Sequence, residues 1–202
     1  MPDVKYRVYP TLLNEFQKFL ENPNLESKQR LLNRINRVQD FDIETLQKFK
    51  KGTSFEEAVV HTKVHNLDSK IINEAKMMLP TSKVLQMSVK FIHQNILFYG
   101  FADVVGEGRV IDIKTTSSYI PPKFLTNFQT LYLYGLKEQG CKQMEYLIYD
   151  FQNLYVETYS LETFDFSLML KKMELFSDFL EENKFLIKDK KIFVEESRGG
   201  LF

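Results

Sequence analysis

Asp103, Asp112 and Lys114 lie within one short, otherwise largely apolar stretch that runs from Phe98 to Thr116. Carboxylates are uncommon in strand-forming sequence. If Glu107-Gly108 is a two-residue hairpin turn, Val105 faces Val110, Val104 faces Ile111, and Asp103 falls opposite Asp112. Opposed residues of an antiparallel pair have Cβ atoms about 4.5–5.5 Å apart. Two carboxylates that close repel each other, and either a shared proton or a bound cation relieves them. Mg²⁺ suits such a place, because it is a hard ion that takes oxygen ligands and keeps several waters. Side chains alternate along a strand, so Asp112 and Lys114 share one face while Ile111 and Ile113 point into the core. A lysine there could align or activate water, or balance charge on a phosphate. The Ile113 carbonyl could add an oxygen ligand. A bare Asp-x-Lys triplet usually marks a solvated strand edge. The apolar flanks, and an Asp nine residues earlier across a turn, set this one apart.

The elements that must position these residues are readable from periodicity. Leu12, Leu13, Phe16, Phe19 and Leu20 recur at helical spacing, and Asn22-Pro23-Asn24 breaks the pattern. Leu31, Leu32, Ile35 and Val38 predict a second helix, and Asp42 to Phe49 a short third. Gly52-Thr53-Ser54 interrupts, and further helices are expected from Phe55 to His65 and from Ile71 to Met78, the last stopped by Pro80. Three strands follow, at Val84–His93, Ile96–Val105 and Arg109–Thr115. Pro121-Pro122 opens a helix to about Glu138, and Gly140 stops it. Tyr146–Tyr149 and Leu154–Tyr159 alternate as strands. A long helix is expected over Leu161–Asn183, and one short strand at Ile192–Val194. This order implies an α/β fold with a mixed sheet.

Bulk properties narrow the function classes. The 202 residues suit one domain with a helical extension: residues 1–50 as the extension, 51–160 as the core, and 161–202 as a C-terminal helix and tail. Acidic and basic residues number 27 each, so binding of a polyanion must rest on local patches. Cys141 is the only cysteine, which excludes an internal disulfide and any Cys-based zinc or iron–sulfur site. The N-terminus has no apolar signal segment, and no apolar run is long enough to span a membrane, so a cytoplasmic protein is expected.

The segment resembles the PD-(D/E)xK nuclease superfamily, in particular its RecB-like and lambda-exonuclease-like branches. Gly100-Phe-Ala-Asp103 is similar to the Gly-x-x-Asp element, and Asp112-Ile-Lys114 to Asp/Glu-x-Lys, with Thr115 following as is usual. Gly52-Thr53-Ser-Phe-Glu56 is similar to the upstream Gly-Thr-x-x-His/Glu motif on a helix. Gln129 sits where those branches carry a Gln, although the position four residues on is Leu133, flanked by Tyr132 and Tyr134. The likeness spans about Gly52 to Tyr159.

The resemblance implies a restriction-endonuclease-like core: a mixed central β-sheet flanked by helices, with an N-terminal helical extension. It implies that Glu56, Asp103, Asp112 and the Ile113 carbonyl hold one or two Mg²⁺ or Mn²⁺ ions. Lys114 and Gln129 would act on water or phosphate. It further implies DNA as substrate, exonuclease activity in recombination or repair, a phage-type setting and a recombination protein as partner. A restriction-type or structure-specific endonuclease, and a non-catalytic nucleic-acid-binding module on the same fold, are the alternatives. A helical interaction protein with incidental carboxylates is the third.

Each further residue also has a structural reading. Thr53-x-x-Glu56 and Ser54-x-x-Glu57 both fit a capping box that merely starts a helix, and Glu57 points away from Glu56. Gln129 fits the polar face of an amphipathic helix, and Tyr132 fits core packing. His61 and His65 have zinc-binding spacing, but no Glu follows His61, so both read as structural. Lys123, Lys137 and Lys142 form either a basic rim for phosphates or ordinary solvated surface.

Overall fold

Local signals start the N-terminal helices. In the computed structural model, which describes residues 3–38, 41–61, 63 and 67–194, α1 (Pro10–Glu21) begins on a proline whose missing N–H has no helical partner to lose. In front of α2 (Leu25–Ile35), the Asn24 side chain accepts the Ser27 N–H at 2.9 Å, and Ser27 Oγ accepts the Asn24 N–H at 3.0 Å. Leu12, Leu13 and Phe16 of α1, and Leu31, Leu32 and Ile35 of α2, are buried at the expected helical spacing. A three-residue strand, β1 (Tyr6–Val8), precedes them. It is too short to show a period, and the sequence did not reveal it.

Helix α3 (Ile43–Val60) is continuous where two helices were expected. Asp42 caps it by accepting the Thr45 N–H at 2.6 Å. Thr53 and Ser54 therefore lie inside the helix, and neither capping box starts it. The helix ends at Val60, with His61 as its C-cap. His65 lies outside the described residues. A fourth helix, α4 (Ser69–Met78), starts at Asp68, which accepts the Lys70 N–H at 2.8 Å.

The strands are β2 (Val84–His93), β3 (Ile96–Gly106), β4 (Arg109–Thr115), β5 (Gln143–Tyr149) and β6 (Leu154–Ser160). Strand β5 begins three residues earlier than the alternation suggested. Glu107 and Gly108 both have positive φ, 53° and 76°, which matches the twist of a two-residue hairpin. The Glu107 carboxylate steadies this turn by accepting the N–H groups of Thr81 (2.9 Å) and Ser82 (3.2 Å). The ladder pairs Gly106 with Arg109, Val105 with Val110 and Val104 with Ile111, as the two-residue turn requires. Strands β4 and β5 are parallel, with Asp112 beside Tyr146, while β5 and β6 are antiparallel. The sheet runs β1-β3-β4-β5-β6, with β2 also on β3. The protein is a mixed α/β fold with a mixed sheet and flanking helices.

Two compact units make up the chain. One comprises residues 3–38, Lys90–Gly100 and 167–194. Here β1 runs parallel to the start of β3, and α1 packs on α6 (Ser167–Glu182). Phe16, Phe176 and Phe179 meet in this core, with Phe16 and Phe176 centroids 4.8 Å apart. Residues 161–166, expected in that helix, precede it. The expected strand Ile192–Val194 is replaced by a 3-10 turn over Lys190–Ile192 and a single bridge from Tyr6 to Phe193.

The other unit comprises 41–61, 63, 67–89 and Phe101–Phe166. Phe55, Ala58 and Val59 of α3 and Ile72 and Ala75 of α4 pack on Ile111, Ile113, Leu147 and Tyr149. Gly52 marks the close approach of α3 to the end of β4, since a Cβ there would stand 3.0 Å from Thr115 Oγ1. That contact, rather than a helix break, accounts for a glycine inside α3.

The segment after β4 departs most from expectation. Pro121-Pro122 opens no helix: their peptide bond is cis, and the chain stays irregular until a 3-10 turn at Phe128–Thr130. Helix α5 is only Leu131–Leu136. The physical reason is Glu157 of β6. Its carboxylate accepts the N–H groups of Lys123 (2.9 Å) and Phe124 (2.7 Å) and the Tyr119 hydroxyl (2.9 Å), and the Tyr159 hydroxyl also donates to it. Burial disfavours its ionised form, but these donors outweigh burial and hold its pKa below the usual value. Glu157→Gln should therefore cost about 1–2 kcal/mol of unfolding free energy, because an amide nitrogen would face donors. A group with a lowered folded pKa stabilises above the unfolded glutamate pKa and loses that contribution as pH falls through the folded value. Urea titrations at neutral and acid pH should show the difference between wild type and Glu157→Gln shrinking on acidification.

Candidate metal centre

The β3–β4 ladder ends at Val104 and Ile111. One more pair would have set Asp103 against Asp112, as the sequence suggested. Instead the Asp103 side chain takes over: its Oδ2 accepts the Ile113 N–H at 2.8 Å. In a continued ladder that N–H would go to the Ala102 carbonyl. The carboxylate thus wedges into the opening between two strands. Backbone N–H and C=O of one strand residue point the same way, so the Ile113 carbonyl faces this opening too.

Asp112 is 4% exposed, on the strand face opposite Ile111 and Ile113. The Lys114 ammonium stands 2.5 Å from its Oδ2. That oxygen nevertheless receives no well-directed hydrogen bond among the described residues, so the contact is one of charge. A buried carboxylate oxygen with open lone pairs is rare without a functional cause. Glu56 enters from α3 and Gln86 from β2. The Gln86 amide nitrogen bridges the two carboxylates, 3.2 Å from Glu56 Oε1 and 3.1 Å from Asp103 Oδ1.

The electrostatics follow from crowding like charges in a partly dry place. Burial, then the charges of Asp112 and Glu56, push the Asp103 carboxyl up to about 7, against the Ile113 N–H and Lys114. Burial and Asp112 also raise Glu56, opposed by Lys114 and His61. Burial raises the Tyr132 hydroxyl, with further upward contributions from Asp112 and Asp103. The site carries three acids, with Lys114 close to one of them.

Glu56, Asp103, Asp112, Lys114 and the Ile113 backbone thus come together from positions spread over α3, β3 and β4. Gln129 is buried in the 3-10 turn rather than on the face of a long helix, with its N–H held by Asn127 Oδ1 at 3.1 Å. Lys123 is tied to Thr116 Oγ1 (2.6 Å) and the Ser118 carbonyl (2.5 Å), and Lys137 lies 4.1 Å over the Tyr134 ring. Both therefore have structural partners.

Sequence reasoning missed Gln86. Its contacts depend on the β2–β3 pairing, and in sequence it is one polar residue on a strand's polar face. Its backbone, at φ 49°, is also in the left-handed region that non-glycine residues seldom adopt. Such a conformation is kept where the surroundings impose it, commonly at functional sites. Gln86→Leu should cost about 1 kcal/mol in chelator, because the bridge between two acids is lost. The cost should shrink when Mn²⁺ is added, since a cation relieves the same repulsion. Thermal melts with EDTA and with Mn²⁺ check this.

Among the described residues, no group of three or more His, Cys, Asp or Glu side chains is placed to hold a metal ion. The donor set still fits Mg²⁺ or Mn²⁺, which bind through one or two carboxylates and keep waters. Asp112 Oδ2 has lone pairs to offer. Asp103 and the Ile113 carbonyl would supply further oxygens, and Glu56 would gain a partner for its charge.

Comparison with known proteins found no matching family model and no matching curated protein. Among solved structures, the crystal structure of SSO0001 is similar at 12% identity with a TM-score of 0.45, over 88% of this chain and 77% of that one. The crystal structure of Scheffersomyces stipitis Rai1 is similar at 14% identity with a TM-score of 0.38, over 89% of this chain and 62% of that one. A second structure of that Rai1, in complex with (3'-NADP)+ and calcium ion, gives the same identity and TM-score over 61% of its length. Among the described residues, no helix is long and apolar enough to cross a membrane.

Proposed function

We propose that this chain is a divalent-metal-dependent nuclease of the PD-(D/E)xK type that hydrolyses DNA phosphodiester bonds as an exonuclease in recombination or repair. The observation that carries this reading is the convergence of Glu56, Asp103, Asp112 and Lys114 on one opening, with Asp112 Oδ2 buried and short of donors. Asp103, Asp112, Glu56 and the Ile113 carbonyl would hold Mg²⁺ or Mn²⁺. The ion, when bound, supplies Lewis-acid polarisation of the phosphate and a more acidic water. Lys114, whose ammonium stands beside Asp112, would present it to a phosphate oxygen or to the attacking water. There it offsets negative charge that grows as the phosphorus–oxygen bond forms. Gln86, whose amide bridges Glu56 and Asp103, would orient water there. Gln129 would assist in holding water or phosphate.

Incubation of linear double-stranded, linear single-stranded and closed circular DNA, each with Mg²⁺, Mn²⁺ or EDTA, tests the reading. Metal-dependent loss of linear DNA with the circle intact is expected. Nicking of the circle would replace exonuclease by endonuclease. A folded protein that cleaves none of them, nor RNA, would overturn the nuclease assignment.

A further inference from the structure

An open cleft of 740 Å³ opens on Glu56 and Lys114, within the unit that carries them. Lys48, Phe49, Lys51 and Glu56 of α3 form one wall, Lys114 lies at the end of β4, and Phe151 belongs to the β5–β6 turn. Two phenylalanine rings here face solvent, Phe49 at 52% exposure and Phe151 at 39%. An exposed phenylalanine forgoes the burial that usually accounts for its presence.

Phe151 also sits at φ 72°, in the left-handed region. The turn is fixed by Asp150, whose Oδ1 accepts the N–H groups of Gln152 (2.9 Å) and Asn153 (2.7 Å). The Phe151 ring is backed edge-on by Tyr149 at 5.5 Å, which itself stacks on Phe55 at 4.7 Å. Phe49 is backed edge-on by Phe41 at 5.1 Å. Both rings therefore have an aromatic neighbour. Lys51 lies 5.7 Å over the Phe151 ring, and Lys48 pairs with Glu44 at the exposed surface, 2.7 Å away. The cleft walls carry three lysines, of which Lys48 pairs with Glu44 and Lys114 with Asp112, and one carboxylate, Glu56.

From this geometry we infer that the cleft binds a single-stranded nucleic-acid end, with unpaired bases stacking on Phe151 and Phe49 and phosphates on Lys51 and Lys48. A paired base has its faces covered by its neighbours, whereas an unpaired one can stack on a protein ring. The cleft leads the strand to Lys114 and Glu56, where its phosphodiester would be cut. The inference rests on the nuclease reading for what happens at the end of the cleft, but not for the binding.

The test measures binding of fluorescein-labelled oligothymidylate and of a blunt duplex of equal length, by anisotropy in EDTA. Phe151→Leu keeps an apolar side chain without a ring, and Phe151→Gly removes the ring while relieving the backbone. Phe49→Leu is the third variant. Stacking is worth about 1–3 kcal/mol per base, so each variant should weaken single-strand binding about 5- to 150-fold. Duplex binding should be weaker than single-strand binding in the wild type and change little. Hydrolysis of bis(p-nitrophenyl) phosphate by the wild type with Mn²⁺ is run in parallel and reads the catalytic site separately from strand binding. Single-strand affinity within twofold of wild type in the folded leucine and glycine variants would overturn the inference. So would tighter duplex than single-strand binding in the wild type, or no single-strand binding. Intact stacking effects without diester hydrolysis would instead sink the nuclease reading and leave the binding site standing.

Discussion

Lys114→Ala is expected to lower metal-dependent DNA cleavage about 10³-fold, the scale on which loss of one well-placed charge stabiliser acts. The geometry explains the size. Its ammonium is the cation 2.5 Å from the buried Asp112 carboxylate, and it lines the cleft beside Glu56. Loss of the side chain also leaves Asp112 as a buried charge without its cation, which should destabilise the metal-free protein by about 3 kcal/mol. Divalent metal can neutralise the same carboxylate. Mn²⁺ should therefore raise the melting temperature of Lys114→Ala by more than that of the wild type. Lys114→Met, which keeps the stem, should be as inactive but better packed. Activity within tenfold of wild type in either variant would remove Lys114 from the chemistry.

Asp103→Asn is expected to stabilise the metal-free protein at pH 8 while abolishing its response to metal. Unfolded aspartate titrates near 3.9, whereas folding lifts Asp103 to about 7. The folded state then holds the proton more tightly than the unfolded chain. Stability from this group is complete below the unfolded pKa, falls as pH rises towards 7, and stays lost above it. The amide introduced by Asp103→Asn would stay neutral; its oxygen can still accept the Ile113 N–H, while its nitrogen would face the Gln86 amide nitrogen, which takes about 1 kcal/mol from the gain. The gain at pH 8 is about 2–3 kcal/mol. That is about 4–12 °C for a chain of this size. Melts from pH 5 to 8 in EDTA should show the wild type weakening with pH and the variant less so. A variant that melts below wild type at pH 8 would contradict the assigned crowding of charge.

What the sequence disclosed was local. The β3–β4 hairpin was legible because Glu107-Gly108 has the chemistry of a two-residue turn and the flanking residues alternate. That alone brought Asp103, Asp112 and Lys114 to one end of the hairpin. The interruption expected at Gly52 failed because a glycine signals either a break or a close approach, and Thr115 of a distant strand decides which. The helix expected from Pro121 failed because Glu157, far along the chain, collects the N–H groups of Lys123 and Phe124. Gln86 was hidden for the same reason: its two partners belong to α3 and β3. Glu56 was visible only as a motif, and its helix is capped by Asp42, which removes the capping explanation for it.

The measurement that tests the central claim most directly is a time course on end-labelled linear DNA. Purified protein is incubated in EDTA, Mn²⁺ is added in excess, and excess EDTA is added later. Cleavage should begin on metal addition, stop on chelation and be absent throughout for Asp112→Asn. Cleavage that persists in EDTA, or an Asp112→Asn variant as active as wild type, would contradict the account.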